Sequence, residues 1–136
     1  MFSRRILIGK IHRATVTGAD VDYMGSITID PVLLEESGIL PLEEVEVWDL
    51  TNGERLSTYT LPGEPGDGQV MLNGAAARKV VVGDKVIISA YGQFDGDSLG
   101  PHVARVVFPD ENNAVSRTST YRVDLKTREF ELRDER

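Results

Sequence analysis

The chain has 136 residues, of which 22 are acidic and 15 basic, and its formal net charge is −7 at pH 7. This size predicts one domain with its own hydrophobic core. The excess of acidic residues argues against nucleic acid or an anionic membrane as the main partner, because both favour clustered Lys and Arg. There is no cysteine, which excludes disulfides, thiol chemistry and thiolate metal sites, and we predict no metal site of another kind.

The N-terminal residues do not resemble a secretory signal. Arg4 and Arg5 are followed by only three apolar residues before Gly9, which is too short for the apolar region of such a signal. No run in the sequence approaches the length needed to span a membrane. We therefore expect a soluble, cytoplasmic protein.

Short runs rich in Val, Ile and Thr alternate with Gly, Pro, Asn and Asp, which predicts a mainly β protein with closed or sandwich architecture. One short helix is predicted to follow Asp30 as N-cap and Pro31 in the first turn, and to end at Gly38. The Asn52-Gly53 pair between extended runs 45–50 and 55–61 predicts a hairpin. A loop at 62–68 follows, and a second short helix is predicted to start at Gly74.

The second half of the chain is also predicted to be β. Gly83-Asp84 predicts a turn before a strand that reaches 88. We expect a loop at 93–101, a strand at 103–108, an edge strand at 120–125 and a solvated, mixed-charge tail at 126–136.

The Gly25-Ser26 pair is a candidate site of self-cleavage. Glycine leaves the preceding carbonyl unhindered and permits strained backbone dihedrals, so the Ser26 hydroxyl can attack its own preceding peptide bond. A lone Gly-Ser between two β-like runs is also typical of an ordinary turn, and these two residues alone do not separate the two interpretations.

Strand alternation places Lys10 and His12 on one face, and Arg55, Ser57 and Tyr59 on one face of another strand. Cations grouped in an acidic protein suggest a carboxylate pocket, since Arg binds a carboxylate through two parallel hydrogen bonds. The alternative is that these residues are exposed and face water.

Several separate blocks together resemble the pyruvoyl-dependent aspartate 1-decarboxylases, and the resemblance runs from about residue 10 to about residue 91. From 92 to 136 nothing is carried over. The blocks are Lys10-Ile11-His12-Arg13-Ala14-Thr15-Val16-Thr17, Ala19-Asp20, Tyr23-Met24-Gly25-Ser26, Trp48, Thr51-Asn52-Gly53-Glu54-Arg55-Leu56-Ser57-Thr58-Tyr59 and Asn73-Gly74-Ala75-Ala76-Ala77.

The resemblance implies a double-psi β-barrel and a zymogen that cleaves itself into residues 1–25 and 26–136. Ser26 would attack the Gly25 carbonyl and become a pyruvoyl group, while Thr58 would hydrogen-bond that carbonyl as a small oxyanion hole. Both chains would remain in one barrel. An accessory maturation protein is a further possibility.

In turnover, the resemblance implies decarboxylation of L-aspartate to β-alanine for pantothenate biosynthesis. The substrate amine would form a Schiff base with the pyruvoyl ketone, which acts as an electron sink as pyridoxal phosphate does elsewhere. Arg55 and Lys10 would anchor the carboxylate, and Tyr59 would return the proton.

The family also implies a homotetramer with active sites between subunits. The remaining pocket residues implied are His12, Tyr23, Trp48 and Asn73, with the backbone of Gly74, Ala75 and Ala76.

Three alternatives stay open at this point. Arg78 stands where the family commonly has His, which leaves room for a related decarboxylase of another amino acid. A non-catalytic double-psi barrel binding module and an uncleaved proenzyme are the others. Individually, Tyr59 and Trp48 suit a barrel wall and Asn73 suits a helix cap. His102, Asp95 and Asp97 match no part of the family pattern and are left as surface or loop residues.

Overall fold

The computed structural model describes residues 2–135 and contains, within them, ten strands, one α-helix and one 3₁₀ segment. In chain order the elements are β1 (Ser3–Thr15), β2 (Gly18–Asp20), β3 (Ser26–Ile29), α1 (Pro31–Ser37), β4 (Glu44–Asp49), β5 (Arg55–Pro62), β6 (Val70–Asn73), the 3₁₀ segment (Gly74–Lys79), β7 (Lys85–Asp95), β8 (Pro101–Pro109), β9 (Val115–Asp124) and β10 (Phe130–Glu135). The prediction of a mainly β protein with one or two short helices is confirmed.

The strands follow the order β10-β9-β8-β1-β7-β4-β5-β3-β6-β2. Parallel and antiparallel pairs are mixed: β1 runs antiparallel to β7 and parallel to β8, and β3 runs parallel to β5 and antiparallel to β6. This mixture, in which neighbouring strands are often distant in the chain, agrees with the double-psi β-barrel. The two strands that flank β3 fix its position, and its first residue, Ser26, pairs with Asn73 of β6.

The core is built from the inward-facing residues of the alternating strands. Ile11, Val47 and Ile88 are fully buried and lie side by side on β1, β4 and β7, because Ile11 pairs with Ile88 and Ile88 with Val47. Their neighbours along each strand point to the opposite face. The same alternation therefore buries these three residues and leaves a second, outer face that contains Lys10, His12 and Trp48.

The predicted helix and hairpin are both confirmed. The side chain of Asp30 accepts a hydrogen bond from the Val32 amide at 2.9 Å, and Gly38 ends α1 in the left-handed region with φ of 76°. The β4–β5 hairpin turns through Gly53 at φ of 80°. Asp30 also accepts from the amide of Gly68 at 2.8 Å, so one carboxylate joins the start of the helix to the loop 62–68.

Beyond residue 92 three predictions are wrong. β7 continues to Asp95 because it pairs with β1 as far as Ser3, so the predicted loop starts too early. β9 begins at Val115 and is an inner strand, and residues 130–135 of the predicted tail form β10, which pairs along β9 and is the edge. Arg136 lies outside the described residues. Among residues 2–135 no helix is long and apolar enough to cross a membrane.

Candidate active site

A cavity of about 410 Å³ opens beside Ser26. β3 pairs with β5 only from Ile27 and Thr60 onward, so the earlier part of β5 faces this cavity on the side away from β4. The 3₁₀ segment that follows β6 closes another side. The cavity is lined by Gly25, Ser26, Leu56, Ser57, Thr58, Tyr59, Asn73, Ala75, Ala76 and Lys79.

Ser26 is fully buried and its hydroxyl is held by Asn73. The Asn73 amide nitrogen lies 3.0 Å from Ser26 Oγ and 3.1 Å from Thr28 Oγ1, so it donates to both hydroxyls. This bond follows from the sheet, since Ser26 and Asn73 are direct partners across β3 and β6. Asn73 makes no side-chain cap to the 3₁₀ segment. Its Oδ1 is buried with no hydrogen-bond partner among the described residues, which leaves one acceptor free beside the Ser26 hydroxyl.

Gly74 brings the backbone close to the candidate cleavage site. It has φ of 65°, and a Cβ built on it would lie 2.8 Å from Gly25 Cα and 3.0 Å from Gly25 N. Only glycine accepts both the left-handed conformation and this approach. Gly25 itself lies outside the positive-φ region, and a Cβ there would meet no described atom within 4 Å. The strained dihedral expected at Gly25 is therefore found at Gly74.

Four of the other predicted site residues lie on the outer face of the sheet. His12 pairs with Ile87, Ile87 with Trp48 and Trp48 with Arg55, which forms one row across four strands. Lys10 belongs to the parallel row two residues away. The Arg55 guanidinium lies 4.6 Å from the centre of the Trp48 ring, so a cation–π contact fixes its direction. These residues do not line the Ser26 cavity.

Tyr59 lies between the residues of the Ser26 cavity and the residues of the outer face. It lines the cavity and also lies on the outer face of β5, on the same side as Arg55, and it is 39% exposed. Tyr23 is 53% exposed on the segment before Gly25 and lies outside the cavity lining. The mouth of the cavity and the cationic outer face thus meet along β5.

His12 lies in a cationic environment. Burial, followed by the charges of Lys10, Arg13 and Arg117, lowers the pKa of the imidazole. Its ring meets Phe108 edge-on at 5.5 Å, and Phe108 in turn lies under the Arg117 guanidinium at 3.6 Å. A lowered pKa favours the neutral ring near pH 7.

Sequence reasoning missed Lys79 and Arg117. Lys79 is the cationic residue of the cavity lining, and its ammonium is paired with Glu54 at 2.9 Å. Lys79 ends the 3₁₀ segment that begins at Gly74, and this proximity in sequence to the predicted Gly74 backbone could have indicated its place in the cavity. Arg117 lies past the matched blocks, and nothing in the sequence pointed to its contact with Phe108.

Two residues set aside as surface or loop residues have structural roles. His102 is half-buried on β8, not in a loop, and its Nε2 lies 2.8 Å from the Leu7 carbonyl oxygen. Asp95 accepts from the Asp97 amide at 2.9 Å, which forms a local turn. Neither feature supplies a reactive group to the cavity.

A buried carboxyl pair lies under the β4–β5 hairpin. Asp49 accepts from the amides of Thr51 and Asn52 at 2.7 and 3.1 Å. Burial, and then the neighbouring Asp84 carboxyl, raise the pKa of Asp49. The pair joins the hairpin turn to the turn before β7.

Comparison with known proteins adds to this geometry. The aspartate decarboxylase family model matches residues 2–116. Aspartate 1-decarboxylase of Ruminiclostridium cellulolyticum is 53% identical over 116 residues, which cover 85% of this chain and 91% of that protein. The same-named protein of Caldicellulosiruptor saccharolyticus is 52% identical over 114 residues, 84% of this chain and 89% of the relative. That of Listeria welshimeri is 51% identical over 112 residues, 82% and 88%. With this match across most of its length, the chain belongs to the aspartate decarboxylase family.

Proposed function

We propose that this chain cleaves itself between Gly25 and Ser26 and then decarboxylates L-aspartate to β-alanine and CO2. The observation that carries the proposal is the buried Ser26 hydroxyl, held by Asn73 in a cavity that also contains Thr58 and Tyr59. Gly25 precedes it on an exposed segment. One serine is thus fixed at the end of an exposed chain segment.

Self-cleavage needs groups within this cavity, a water molecule and transfer of one proton to solvent. Ser26 Oγ bonds to the Gly25 carbonyl carbon, and the Gly25–Ser26 C–N bond breaks to give an ester and a free amine. Loss of the Ser26 Cα proton then expels the Gly25 carboxylate. Addition of water releases ammonia and leaves a pyruvoyl group at position 26. Thr58 lines the same cavity, and we assign its hydroxyl to the developing oxyanion.

The residues around Ser26 fit a pyruvoyl group. The Asn73 amide donates to Ser26 Oγ, an oxygen that leaves with the Gly25 carboxylate. Cleavage would therefore free this donor for the new ketone oxygen, and the unpartnered Asn73 Oδ1 is available to a substrate amine. When formed, the group supplies a ketone that takes up the amine and accepts the electrons released with CO2. Ser26 is fully buried in the intact chain. Cleavage therefore frees the Gly25 end to move away and to open the site to substrate.

Binding of a dicarboxylate requires cations, and among residues 2–135 of one chain the cavity lining contains Lys79 alone. Lys79 is neutralised by Glu54, while Arg55 and Lys10 lie on the outer face. We propose that the outer face of one protomer covers the cavity of another in a homotetramer, with Arg55 and Lys10 as carboxylate anchors. His12 and Trp48 would come with them, because they lie in the same row as Arg55 and on the same face as Lys10.

Tyr59 is the proposed proton donor to the product carbanion. Its position in the cavity lining allows contact with substrate held between two protomers, and its phenol hydroxyl can donate a proton. The 3₁₀ segment that begins at Gly74 would close the side of the site next to β6.

Arg78 gives no reason to replace aspartate by another substrate. It is exposed and is not part of the Ser26 cavity lining, although the cavity that it does line shares Ala75 and Lys79 with that lining. We therefore keep L-aspartate as the substrate, and a test against L-glutamate separates the two possibilities.

Intact-mass spectrometry of the purified protein tests the first step. We expect two fragments divided after Gly25, the larger lighter by one ammonia than a chain that starts with serine, and β-alanine formation from L-aspartate. The Ser26→Ala variant is expected to stay at full length and inactive. A full-length wild-type mass that persists on warming contradicts self-cleavage of the isolated protein. Cleavage that appears only after addition of cell extract indicates a maturation factor.

A further inference from the structure

The outer face of the sheet continues past the predicted site residues onto β8 and β9. The ring centre of His12 on β1 lies 5.5 Å from that of Phe108 on β8, with 67° between the ring planes. Phe108 is the direct partner of Arg117 on β9. Arg117 is the first residue beyond the family match, which ends at 116. One row of side chains thus crosses six strands, and its members in order are Arg55, Trp48, Ile87, His12, Phe108 and Arg117.

Three groups hold the Arg117 side chain in this row. Its guanidinium carbon lies 3.6 Å from the centre of the Phe108 ring, which is a cation–π contact. Its Nη1 lies 3.3 Å from Oδ1 of Asp134 on β10 and 3.4 Å from the Ser119 hydroxyl oxygen. The buried Ser119 hydroxyl also donates to Asp134 Oδ1, at 2.6 Å. An exposed ion pair alone restrains a side chain weakly, but here a ring and a buried hydroxyl restrain it as well.

Phe108 lies between this cation and the imidazole of His12. An edge-to-face pair depends on the angle between its rings, so a movement of Phe108 changes the packing of His12. The Nδ1 atom of His12 is buried with no hydrogen-bond partner among residues 2–135. The orientation of the imidazole therefore depends on the rings and chains packed against it, rather than on a hydrogen bond at this nitrogen.

We propose that Arg117 is a positioning residue of the outer face: held by Asp134, it keeps Phe108 against the His12 ring and so fixes the direction of the imidazole. Its effect on turnover rests on the proposed function, in which this face covers the Ser26 cavity of another protomer. The contact itself lies within one chain and does not involve Ser26. The C-terminal hairpin of β9 and β10 thereby supports substrate binding without touching the substrate.

The charge of Arg117 acts on the same imidazole. Burial, followed by the charges of Lys10, Arg13 and Arg117, lowers the pKa of His12, which favours the neutral ring near pH 7. The Lys85 ammonium is bound to Thr15 Oγ1 at 2.7 Å. By strand, the groups on the elements beside the ring are Lys10 and Arg13 on β1, Ile87 and Lys85 on β7, Phe108 on β8 and Arg117 on β9.

Substitutions at Arg117 and Phe108 test the proposal by steady-state kinetics. Arg117→Met removes the charge and the stacked plane, whereas Arg117→Lys keeps the charge alone. We expect both to raise KM for L-aspartate about three- to tenfold, roughly the worth of one aromatic contact, with a smaller change in kcat and unchanged chain cleavage. Phe108→Leu should raise KM equally, and the double variant F108L/R117M no further, because Arg117 acts through Phe108.

Arg122→Met is the matched control. Arg122 is also an arginine of β9 paired with β10, since its Nη2 lies 3.6 Å from Glu135 Oε2. It is an odd number of residues from Arg117 and so lies on the opposite face of the strand. We expect this variant to keep the wild-type KM.

NMR of histidine labelled in the ring gives a readout that does not depend on turnover. The chain has two histidines, so the spectrum contains two ring signals, and His102, held at the Leu7 carbonyl oxygen, is the internal reference. We expect the pKa of His12 to be higher in Arg117→Met than in wild type or Arg117→Lys, because one neighbouring cation is lost. The shift of the neutral His12 ring should change in both variants as Phe108 moves, while the His102 signal stays unchanged.

Four results would overturn the proposal. Additive KM effects in F108L/R117M would mean that Arg117 acts independently of Phe108, and full recovery of KM in Arg117→Lys would assign the effect to charge alone. The others are a His12 signal with its wild-type shift and titration in Arg117→Met, and an equal rise of KM in Arg122→Met. Circular dichroism separates a lost contact from a lost fold. If the wild-type protein does not decarboxylate L-aspartate, the proposed function fails, and the His12 signals still decide the positioning role.

Discussion

Gly74→Ala is expected to slow self-cleavage much more than it lowers stability. A Cβ at this position would lie 2.8 Å from Gly25 Cα, whereas ordinary contacts of a Cβ begin at 3.4 Å. The backbone of Gly25 must therefore move by about 0.6 Å, directly beside the bond to be broken. A misplacement of roughly 1 Å costs on the order of a hundredfold in rate, so we expect cleavage to slow by about tenfold or more.

Gly53→Ala separates this steric effect from the cost of the backbone conformation. Gly53 also has a positive φ, of 80°, but a Cβ there would meet no described atom within 4 Å. Both substitutions should lower the free energy of unfolding by roughly 1–2 kcal/mol, the cost of a left-handed non-glycine residue. Only Gly74→Ala should displace Gly25.

The assay follows the full-length chain and the two fragments by intact mass at timed intervals, beside urea unfolding of both variants. To remove the contribution of cleavage to stability, the unfolding is measured in a Ser26→Ala background. A Gly74→Ala variant that cleaves at the wild-type rate, or a Gly53→Ala variant in which cleavage slows equally, would refute the steric explanation.

Three further substitutions address the remaining parts of the site. Asn73→Ala removes the donor to two hydroxyls, and we expect it to lower the free energy of unfolding by about 2 kcal/mol and to slow cleavage about tenfold. The control, Thr28→Val, should lower the free energy of unfolding by about 1 kcal/mol and leave the cleavage rate unchanged. Equal cleavage rates in the two variants would mean that Asn73 has only a structural role. Arg55→Met should leave chain cleavage intact and raise KM for L-aspartate by roughly 10- to 100-fold, the worth of a hydrogen bond to a charged group, and an unchanged KM in steady-state assays would contradict the proposed anchor. Asp49 has a raised pKa in the folded state, so its contribution to stability is present below the unfolded value and is lost as pH rises through the folded pKa. Asp49→Asn should therefore gain stability relative to wild type as the pH rises above about 4, and a stability difference that does not change with pH in urea unfolding would contradict the raised pKa.

The local elements were predictable because each is determined by residues close in sequence. The caps at Asp30 and Gly38 define a helix without reference to the rest of the chain, and Gly53 requires the positive φ of a hairpin turn. The alternation of Arg55, Ser57 and Tyr59 fixes a shared face in any strand. These signals act over a few residues, and the structure has all of them.

The C-terminal third could not be predicted in the same way. Residues 130–135 form a strand only because β9 offers a partner across the turn at Asp124, which accepts from the amides of Lys126 and Thr127 at 2.8 and 3.1 Å. Their composition alone is that of a solvated, charged segment. Pairing with β9 therefore stabilises a strand that the local β-propensity of these residues does not predict.

The candidate site was predictable in its members but not in its division between two surfaces. Ser26, Thr58 and Asn73 meet in one cavity because β3 lies between β5 and β6, a neighbourhood set by long-range pairing. Lys10 and Arg55 belong to the outer face for the same reason. Residue type and spacing indicate the chemistry, whereas topology decides which groups one chain brings together.

This division predicts an order of events. Every group assigned to cleavage lies within one chain around Ser26, so cleavage is unimolecular and its rate should not depend on protein concentration. The proposed carboxylate anchors, Lys10 and Arg55, lie on the outer face and not in the cavity lining of the same protomer, so we expect turnover to require association. Dilution should therefore lower decarboxylation per active site while the rate of chain cleavage stays constant. If dilution lowers the cleavage rate as much as the decarboxylation rate, a second protomer is already needed to hold Ser26 for attack. Some of the groups required for cleavage would then lie at the interface between protomers.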